Sequence, residues 1–313
     1  MGESILALLC DGETVLFSVL TDCYSIGETG SMYNHVHSIL DRYNVSQIDA
    51  FIWTHPDKDH SVGIENTLSL YDKNDQAEIF IPDGLIHEDK IGDSFCDEAS
   101  QAINYIYNHY SKKGSRVSKR KIHTVSTDDH EIRDLVIFDI FADDEIDPLK
   151  CKFRFVQPYS EFCNHAEFWD MELEHNLMSI VYSIELNGRN YLFTGDLMDD
   201  GARRIKHDEF FSRINYIKIP HHGSCHSEEF LGMVVNYYKN YNNHWLTSTV
   251  TRFNKSNDPK DKILKRYCKL GDVFYITNNK ANKAGCIETI VDIINDECLT
   301  YCEGSALQYY NSN

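Results

Sequence analysis

The sequence lacks any apolar run of about 18 residues, the length that marks a membrane-spanning helix. Its first residues, MGESILALLC, also lack the basic n-region that is typical of a secretory signal peptide. Both absences argue against a membrane-inserted or secreted protein. We therefore expect a cytoplasmic protein that makes no membrane contact.

Cysteine is too sparse for a disulfide scaffold. The chain has 10 cysteines in 313 residues, well below the ~8–10% that is typical of small disulfide-rich domains. They occur singly, and the closest pair, Cys298 and Cys302, has no partner pair that would complete a zinc site. We expect most of them to be reduced and buried.

Basic residues are few: 30 Lys and Arg stand against 49 Asp and Glu, so the formal net charge is −19. A field of this sign repels a polyanion unless cations or a local basic patch reverse it, which disfavours simple electrostatic binding of nucleic acid. The run KKGSRVSKRK, from Lys112 to Lys121, is either a solvated loop or a patch that meets phosphates. A carboxylate excess also fits a metal site, where bound ions cancel the charge.

Strand-like and helical segments alternate along the chain, as expected of an α/β protein. Residues 33–43 and 97–110 have helical spacing, and residues 198–207 resemble a helix as well. Residues 48–54 form a short, apolar, β-rich run that predicts a buried strand. Residues 179–193 predict a hairpin with a Gly-containing turn.

Metal-ligand residues follow the strand at residues 48–54, in the string THPDKDH. The spacing lets His55 and Asp57 converge on one ion while Asp59 and His60 serve a second. A second ion about 3.5–4 Å away would be bridged by a carboxylate.

Two later strands also end in residues that can bind metals. Asp196 follows a strand in FTGD and is the natural bridging carboxylate. His221 and His222 follow another strand in PHHGS. Because adjacent residues leaving a strand point to different sides, we expect one of them to bind a metal and the other to have a different role.

The order HxDxDH, TGD and PHHGS resembles the metallo-β-lactamase superfamily, and within it the ComEC/Rec2-like branch. Further matches are Asp22 in VLTDC, the N-x-x-S pattern that begins at Asn176, and Lys218 before the two histidines. The resemblance covers roughly residues 1–295. In most of the superfamily a histidine occupies the position of Asp57, but the ComEC-like branch carries the aspartate.

This resemblance implies an α/β fold, a four-layered αββα sandwich in one domain spanning residues 1–313. An insertion at approximately residues 72–157 separates the first ligand motif from the second half, and substrate specificity would be built there. The chain departs from the branch at its last motif, because Asp258 stands in SNDPKD where a histidine is expected. Whether Asp258, Asn176 or His175 completes the metal site is left open by the sequence.

The resemblance implies two divalent metal ions, zinc or manganese, and hydrolysis by a metal-bound hydroxide. Asp22 would be a structural hydrogen-bond acceptor. Asp59 would orient the water, and Lys218 or the histidine that does not bind metal, taken as His222, would assist the leaving oxygen. The ligand set implied in this way is His55, Asp57, Asp59, His60, Asp196 and His221.

The leading prediction is a phosphodiesterase or nuclease acting on a nucleotide or nucleic acid. The net charge favours a small nucleotide over a polymer, because only a local site must then be positive. Two alternatives stay open. One is a hydrolase of carboxylic esters, thioesters or lactones, since one fold serves many chemistries. The other is a non-catalytic metal-binding subunit that binds a protein partner.

Overall fold

The strands form two mixed sheets and a separate two-stranded hairpin in the computed structural model of the chain. Strands and helices occur together in both halves of the sequence, which confirms the α/β class. The four-layered arrangement stays a prediction. The structure describes residues 2–24, 35–85, 95–111, 121–127, 133–140, 149–164, 175–205, 211, 214–238, 246–252, 258–276, 285–293, 295 and 297–310.

The first of two compact units comprises Met1–Asp128 and Pro158–Ile180. Its five-stranded sheet has the order 1-2-3-4-5; the first pair is antiparallel and the other pairs are parallel. Its elements are β1 (Ile5–Asp11), β2 (Thr14–Thr21), α1 (His35–Arg42), β3 (Ala50–Ile52), α2 (Lys58–Ser61), α3 (Ile64–Tyr71), β4 (Glu78–Pro82), α4 (Asp97–Tyr110), β5 (Ile122–Val125) and α5 (Ser160–Asn164).

The second unit comprises Asp129–Gln157 and Val181–Asn313. Its eight-stranded sheet has the order 15-12-11-10-9-8-7-6, in which strands 9 to 12 are parallel and the outer pairs are antiparallel. Its elements are β6 (Arg133–Ile140), β7 (Leu149–Gln157), β8 (Val181–Leu186), β9 (Arg189–Phe193), α6 (Asp199–Ala202), β10 (Ile214–Lys218), α7 (Glu228–Tyr238), β11 (Thr247–Thr251), α8 (Asp261–Tyr267), β12 (Asp272–Ile276), β13 (Gly285–Asp292), β14 (Glu297–Gly304) and β15 (Ala306–Tyr309).

The helix predicted at residues 97–110 is confirmed with the same bounds as α4. Its buried side chains recur every three or four residues, so one apolar face packs into the core of the first unit. Two acidic residues in its first turn, Asp97 and Glu98, also favour a helix start because their negative charges interact favourably with the positive end of the helix dipole.

The hairpin predicted at residues 179–193 is confirmed as β8 and β9. Asn187 and Gly188, at the turn, have φ angles of 50° and 71°. Two successive residues with positive φ are the signature of a type I′ turn, whose twist matches that of the flanking strands. The helix predicted at residues 198–207 is shorter, since only Asp199–Ala202 is helical and residues 206 and 207 lie outside the described part.

All ten cysteines are free, and the prediction that most of them are buried is wrong. Cys23, Cys151 and Cys163 are buried, four others are partly exposed, and three are exposed. Several of the exposed or partly exposed ones lie on the β13–β14 hairpin, where every residue of the two strands except Gly285 is exposed or partly exposed. Within the described residues, no helix has the length and apolar character that crossing a membrane requires.

Candidate metal centre

The ligand-rich string of the first unit begins where β3 leaves the sheet. The sequence predicts a strand up to Thr54, but β3 ends at Ile52. The N–H of Trp53 still donates to the carbonyl of Phe80 at 2.9 Å, whereas the N–H of Thr54 donates to the Asp22 side chain at 2.7 Å. A carboxylate therefore replaces the neighbouring strand as hydrogen-bond acceptor, and the chain turns away from the sheet.

Asp22, which directly follows β2, is a buried hydrogen-bond hub. Its Oδ1 accepts from the Thr54 N–H, and its Oδ2 accepts from the Thr54 hydroxyl and from His60 Nδ1, each at 2.7 Å. Its φ of 54° lies in the left-handed region, a conformation that L residues other than Asn and Asp rarely adopt. Asp22 thus orients the loop, which agrees with the structural role that the resemblance implies.

These hydrogen bonds determine the tautomers of two neighbouring histidines, whose ring centroids are 4.1 Å apart. A carboxylate only accepts, so His60 carries its proton on Nδ1. The single Thr54 hydroxyl proton goes to Asp22, so this hydroxyl accepts from Nδ1 of His55, at 2.9 Å. In both rings Nε2 is consequently the atom with the lone pair, as in histidines that bind metals and are held by a carboxylate.

Each Nε2 faces a carboxylate of the same loop. His55 Nε2 lies 3.6 Å from Asp57 Oδ2, and His60 Nε2 lies 3.9 Å from Asp59 Oδ2. Two atoms that each bind an ion at about 2.1 Å, in tetrahedral geometry, are separated by about 3.4 Å. The His55 and Asp57 atoms come close to this separation, and a cation between them would relieve the repulsion of two lone pairs. The donor set therefore fits a divalent metal ion.

Glu3 belongs to the same buried environment, a position that the sequence analysis missed. Ligand atoms of Glu3, Asp22 and His60 lie within 4.8 Å of one another, and all three residues are buried. The first unit thus contains a buried acidic and histidine group that could hold a metal ion. Since both Asp22 oxygens already accept hydrogen bonds from Thr54 and His60, we assign Asp22 to orienting the histidines.

His175 and Asn176 lie in a short 3₁₀ turn of the first unit, and both are buried. His175 Nδ1 is 3.0 Å from Asp57 Oδ1. Burial alone would raise the pKa of Asp57, but hydrogen bonds and positive charge from His175 and His55, when these rings are protonated, outweigh it and hold this pKa well below its usual range. Within this unit, His175 therefore contacts Asp57, one of the predicted ligands. Whether His175 or Asn176 binds a metal stays a prediction.

The second unit brings together Asp196, Lys218 and His222. His222 Nε2 lies 3.2 Å from Asp196 Oδ2. Lys218 Nζ donates to the Gly195 carbonyl at 2.6 Å and lies 3.2 Å from Asp196 Oδ1. All three residues are buried, and the ammonium group holds the Asp196 side chain in place. The parallel strands β9 and β10 explain this meeting, because their carboxyl ends share one sheet edge.

The two histidines of PHHGS differ in position. The ring centroid of His221 is 6.5 Å from that of His222 and 6.3 Å from that of His226. His222 is buried, whereas His221 is partly exposed. Within this unit, His222 contacts the predicted bridging carboxylate. The predicted roles, with His221 as ligand and His222 as proton donor, stay predictions.

The PHHGS turn has a strained backbone. His221, His222 and Gly223 have φ angles of 47°, 51° and 72°. A Cβ added at Gly223 would lie 2.7 Å from Cβ of Pro259. Strain of this kind is maintained only where the surrounding structure holds it, and it is often associated with functional sites.

We expect Gly223→Ala to lower the free energy of unfolding by at least about 1–2 kcal/mol, the cost of a left-handed conformation, before the clash with Pro259 is added. Gly232→Ala is the matched control, because no atom lies within 4 Å of the added Cβ and the site is inside α7. Alanine is favoured over glycine in a helix, so this change should be neutral or stabilising by up to about 1 kcal/mol. Urea unfolding measures the free energy of unfolding of both variants. Equal changes in the two variants would contradict the interpretation that the turn requires glycine at position 223.

Asp258, at the position of the expected histidine, is buried beside this turn. Its Oδ1 lies 3.3 Å from Lys260 Nζ, and the Lys260 N–H donates to the Gly223 carbonyl at 3.1 Å. Whether Asp258 binds a metal stays a prediction. Residues 112–120 of the predicted basic patch lie outside the described residues, and Lys121 pairs with Glu78 at 2.8 Å.

Comparison with known proteins leaves the family open. No protein-family model matches the sequence, and no curated protein matches it. The similarity to the metallo-β-lactamase superfamily therefore stays a prediction that rests on the three motifs and their order.

Proposed function

We propose that the protein is a metal-dependent hydrolase with a dinuclear centre. The observation that carries this proposal is the arrangement around Asp22. One buried carboxylate, with the Thr54 hydroxyl, orients His55 and His60 so that Nε2 of each faces a neighbouring aspartate. Fixing the tautomers of two adjacent histidines in this way suits ligation of metal, because it presents two lone pairs beside two carboxylates.

The four candidate ligands of the loop would be shared between two ions. His55 and Asp57 would hold one ion, and Asp59 and His60 the other. We infer from the order of the motifs in the sequence that Asp196 and one histidine of PHHGS would also bind the ions. When bound, divalent ions lower the pKa of a coordinated water and polarise the oxygen under attack. Zinc and manganese both accept imidazole and carboxylate ligands.

Phosphodiesters are the substrate class that we propose. A dinuclear centre suits displacement at phosphorus, because it stabilises both the entering and the leaving oxygen. The net charge of −19 favours a nucleotide or another small phosphodiester over a nucleic acid polymer, since the overall field repels a polyanion. The resemblance to the ComEC-like branch supports the same class.

The test combines elemental analysis of the purified protein with hydrolysis of bis-p-nitrophenyl phosphate in added zinc or manganese. We expect close to two metal ions per chain and metal-dependent turnover that is lost in Asp196→Ala. Asp196→Asn serves as a second variant, because it keeps the shape of the side chain beside Lys218. Asp200→Ala is the matched control, since Asp200 is only four positions away in the sequence, lies on the surface and pairs with Arg203 at 2.7 Å.

Three results would count against the proposal. Wild-type protein without bound metal and without turnover would overturn it and favour the partner-binding alternative. Metal without turnover of the phosphodiester, but with hydrolysis of p-nitrophenyl acetate, would replace the substrate class by esters. Full turnover in both Asp196 variants would remove Asp196 from the site.

A further inference from the structure

His175 approaches the ligand loop from a distant part of the sequence. It begins the 3₁₀ turn at His175–Met178, and its Nδ1 lies 3.0 Å from Asp57 Oδ1 although 118 residues separate the two. The His175 side chain is only 6% exposed, whereas that of Asp57 is 29% exposed. The buried imidazole of His175 thus fixes the Asp57 carboxylate, which could otherwise rotate toward solvent.

The two oxygens of Asp57 face different histidines. Oδ1 accepts a hydrogen bond from His175, and Oδ2 lies 3.6 Å from His55 Nε2. The His55 atom carries a lone pair, because the Nδ1 proton of that ring is donated to Thr54. Without a cation, Oδ2 and this nitrogen repel each other, and rotation of Asp57 toward solvent would relieve the repulsion. The hydrogen bond from His175 opposes that rotation.

We propose that His175 is a positioning residue that holds Asp57 Oδ2 toward His55 Nε2 and so prepares this pair to bind a metal ion. The inference rests on the proposed metal-dependent function. Carboxylates that bind metals are commonly fixed by a hydrogen bond to the second oxygen, and loss of such a partner typically costs 10–100-fold in metal affinity. His175 acts through Asp57 and does not itself contact the ion.

Two amide substitutions separate this role from direct ligation. An asparagine side-chain NH₂ lies close to the position of Nδ1 of histidine, whereas the glutamine NH₂ lies close to that of Nε2. His175→Asn should therefore keep the hydrogen bond to Asp57, while His175→Gln and His175→Ala should lose it. We expect the affinity for one of two zinc ions to fall about 10–100-fold in His175→Gln and His175→Ala, and to stay within about threefold of wild type in His175→Asn.

The measurement is competition for zinc against a chromophoric chelator, with all four proteins first stripped of metal and checked for folding by circular dichroism and thermal melting. Equal loss in His175→Asn and His175→Ala would overturn the positioning role. Better binding by His175→Gln than by His175→Asn would also overturn it, in favour of direct ligation through Nε2. Wild-type protein that binds no zinc would instead contradict the proposed function, so the two failures are distinguishable.

Discussion

Asp22→Ala should lower the free energy of unfolding by about 3–5 kcal/mol and abolish the additional stability that we expect zinc or manganese to give to the wild-type protein. Asp22 is fully buried and accepts three hydrogen bonds, from the Thr54 N–H, the Thr54 hydroxyl and His60 Nδ1. Alanine would leave these buried donors without an acceptor, a type of change that costs several kcal/mol. His60 would also lose the contact that determines its tautomer, and the Thr54 hydroxyl, no longer donating to Asp22, would cease to determine that of His55.

Asp72→Ala is the matched control for this prediction. Asp72 is also fully buried and accepts from the N–H groups of Gln76 and Ala77 and from the Tyr110 hydroxyl, at 2.7, 2.9 and 2.6 Å. It should therefore be about equally important for stability, but it orients no histidine.

Thermal unfolding with and without metal distinguishes the two variants. A ligand that binds only the folded state raises stability in proportion to the logarithm of its concentration over Kd. We expect this increase in Asp72→Ala and not in Asp22→Ala. An undiminished increase in Asp22→Ala would mean that Asp22 does not orient the metal ligands.

Asp59→Asn should reduce metal-dependent hydrolysis by about a thousandfold while the chain remains folded. Metal ions contribute several kcal/mol to transition-state stabilisation, and about 4 kcal/mol corresponds to this factor. The Asp59 carboxylate faces His60 Nε2 at 3.9 Å. The backbone around it is held independently, because the Asp59 carbonyl accepts from the Glu3 N–H at 2.9 Å. Asparagine keeps the side-chain shape but removes the charge that a cation requires.

Glu98→Gln controls for a general change of charge near the loop. Glu98 pairs with Lys58, the residue before Asp59, at 2.5 Å on the surface. Glu98→Gln removes one negative charge close to the loop that carries Asp59, without altering a predicted ligand. Turnover should therefore change by less than about threefold, as expected for a surface ion pair. Turnover of bis-p-nitrophenyl phosphate at saturating metal measures both variants. Comparable losses in the two would show that local charge, rather than ligation, is responsible.

Several elements could be predicted from local sequence patterns. The helix at Asp97–Tyr110 follows from apolar spacing and an acidic first turn, and the β8–β9 hairpin follows from Asn187 and Gly188 between two β-rich runs. These signals are local because helix and turn geometry depend on residues a few positions apart. The end of β3 could not be predicted, because the acceptor for the Thr54 N–H is a side chain 32 residues away.

The candidate ligands were found from the sequence alone, while their orientation was not. The spacing of His55, Asp57, Asp59 and His60 in one loop already predicts a metal site, because four ligand residues in six positions have few other uses. The hydrogen bonds by which Thr54 connects Asp22 to His55 could hardly be predicted, because their only sign in the sequence is a threonine directly before His55.

The amino-acid sequence by itself determined the α/β class, several of the elements and the segments that carry the candidate ligands. Only the tertiary structure decided which atoms of those candidate ligands are available to a metal. Asp22 selects the tautomers of His55 and His60, and His175 selects the orientation of Asp57 from 118 residues away. The physical reason is that a histidine tautomer or a carboxylate rotamer depends on its hydrogen-bond partner, and here those partners come together only when distant segments pack.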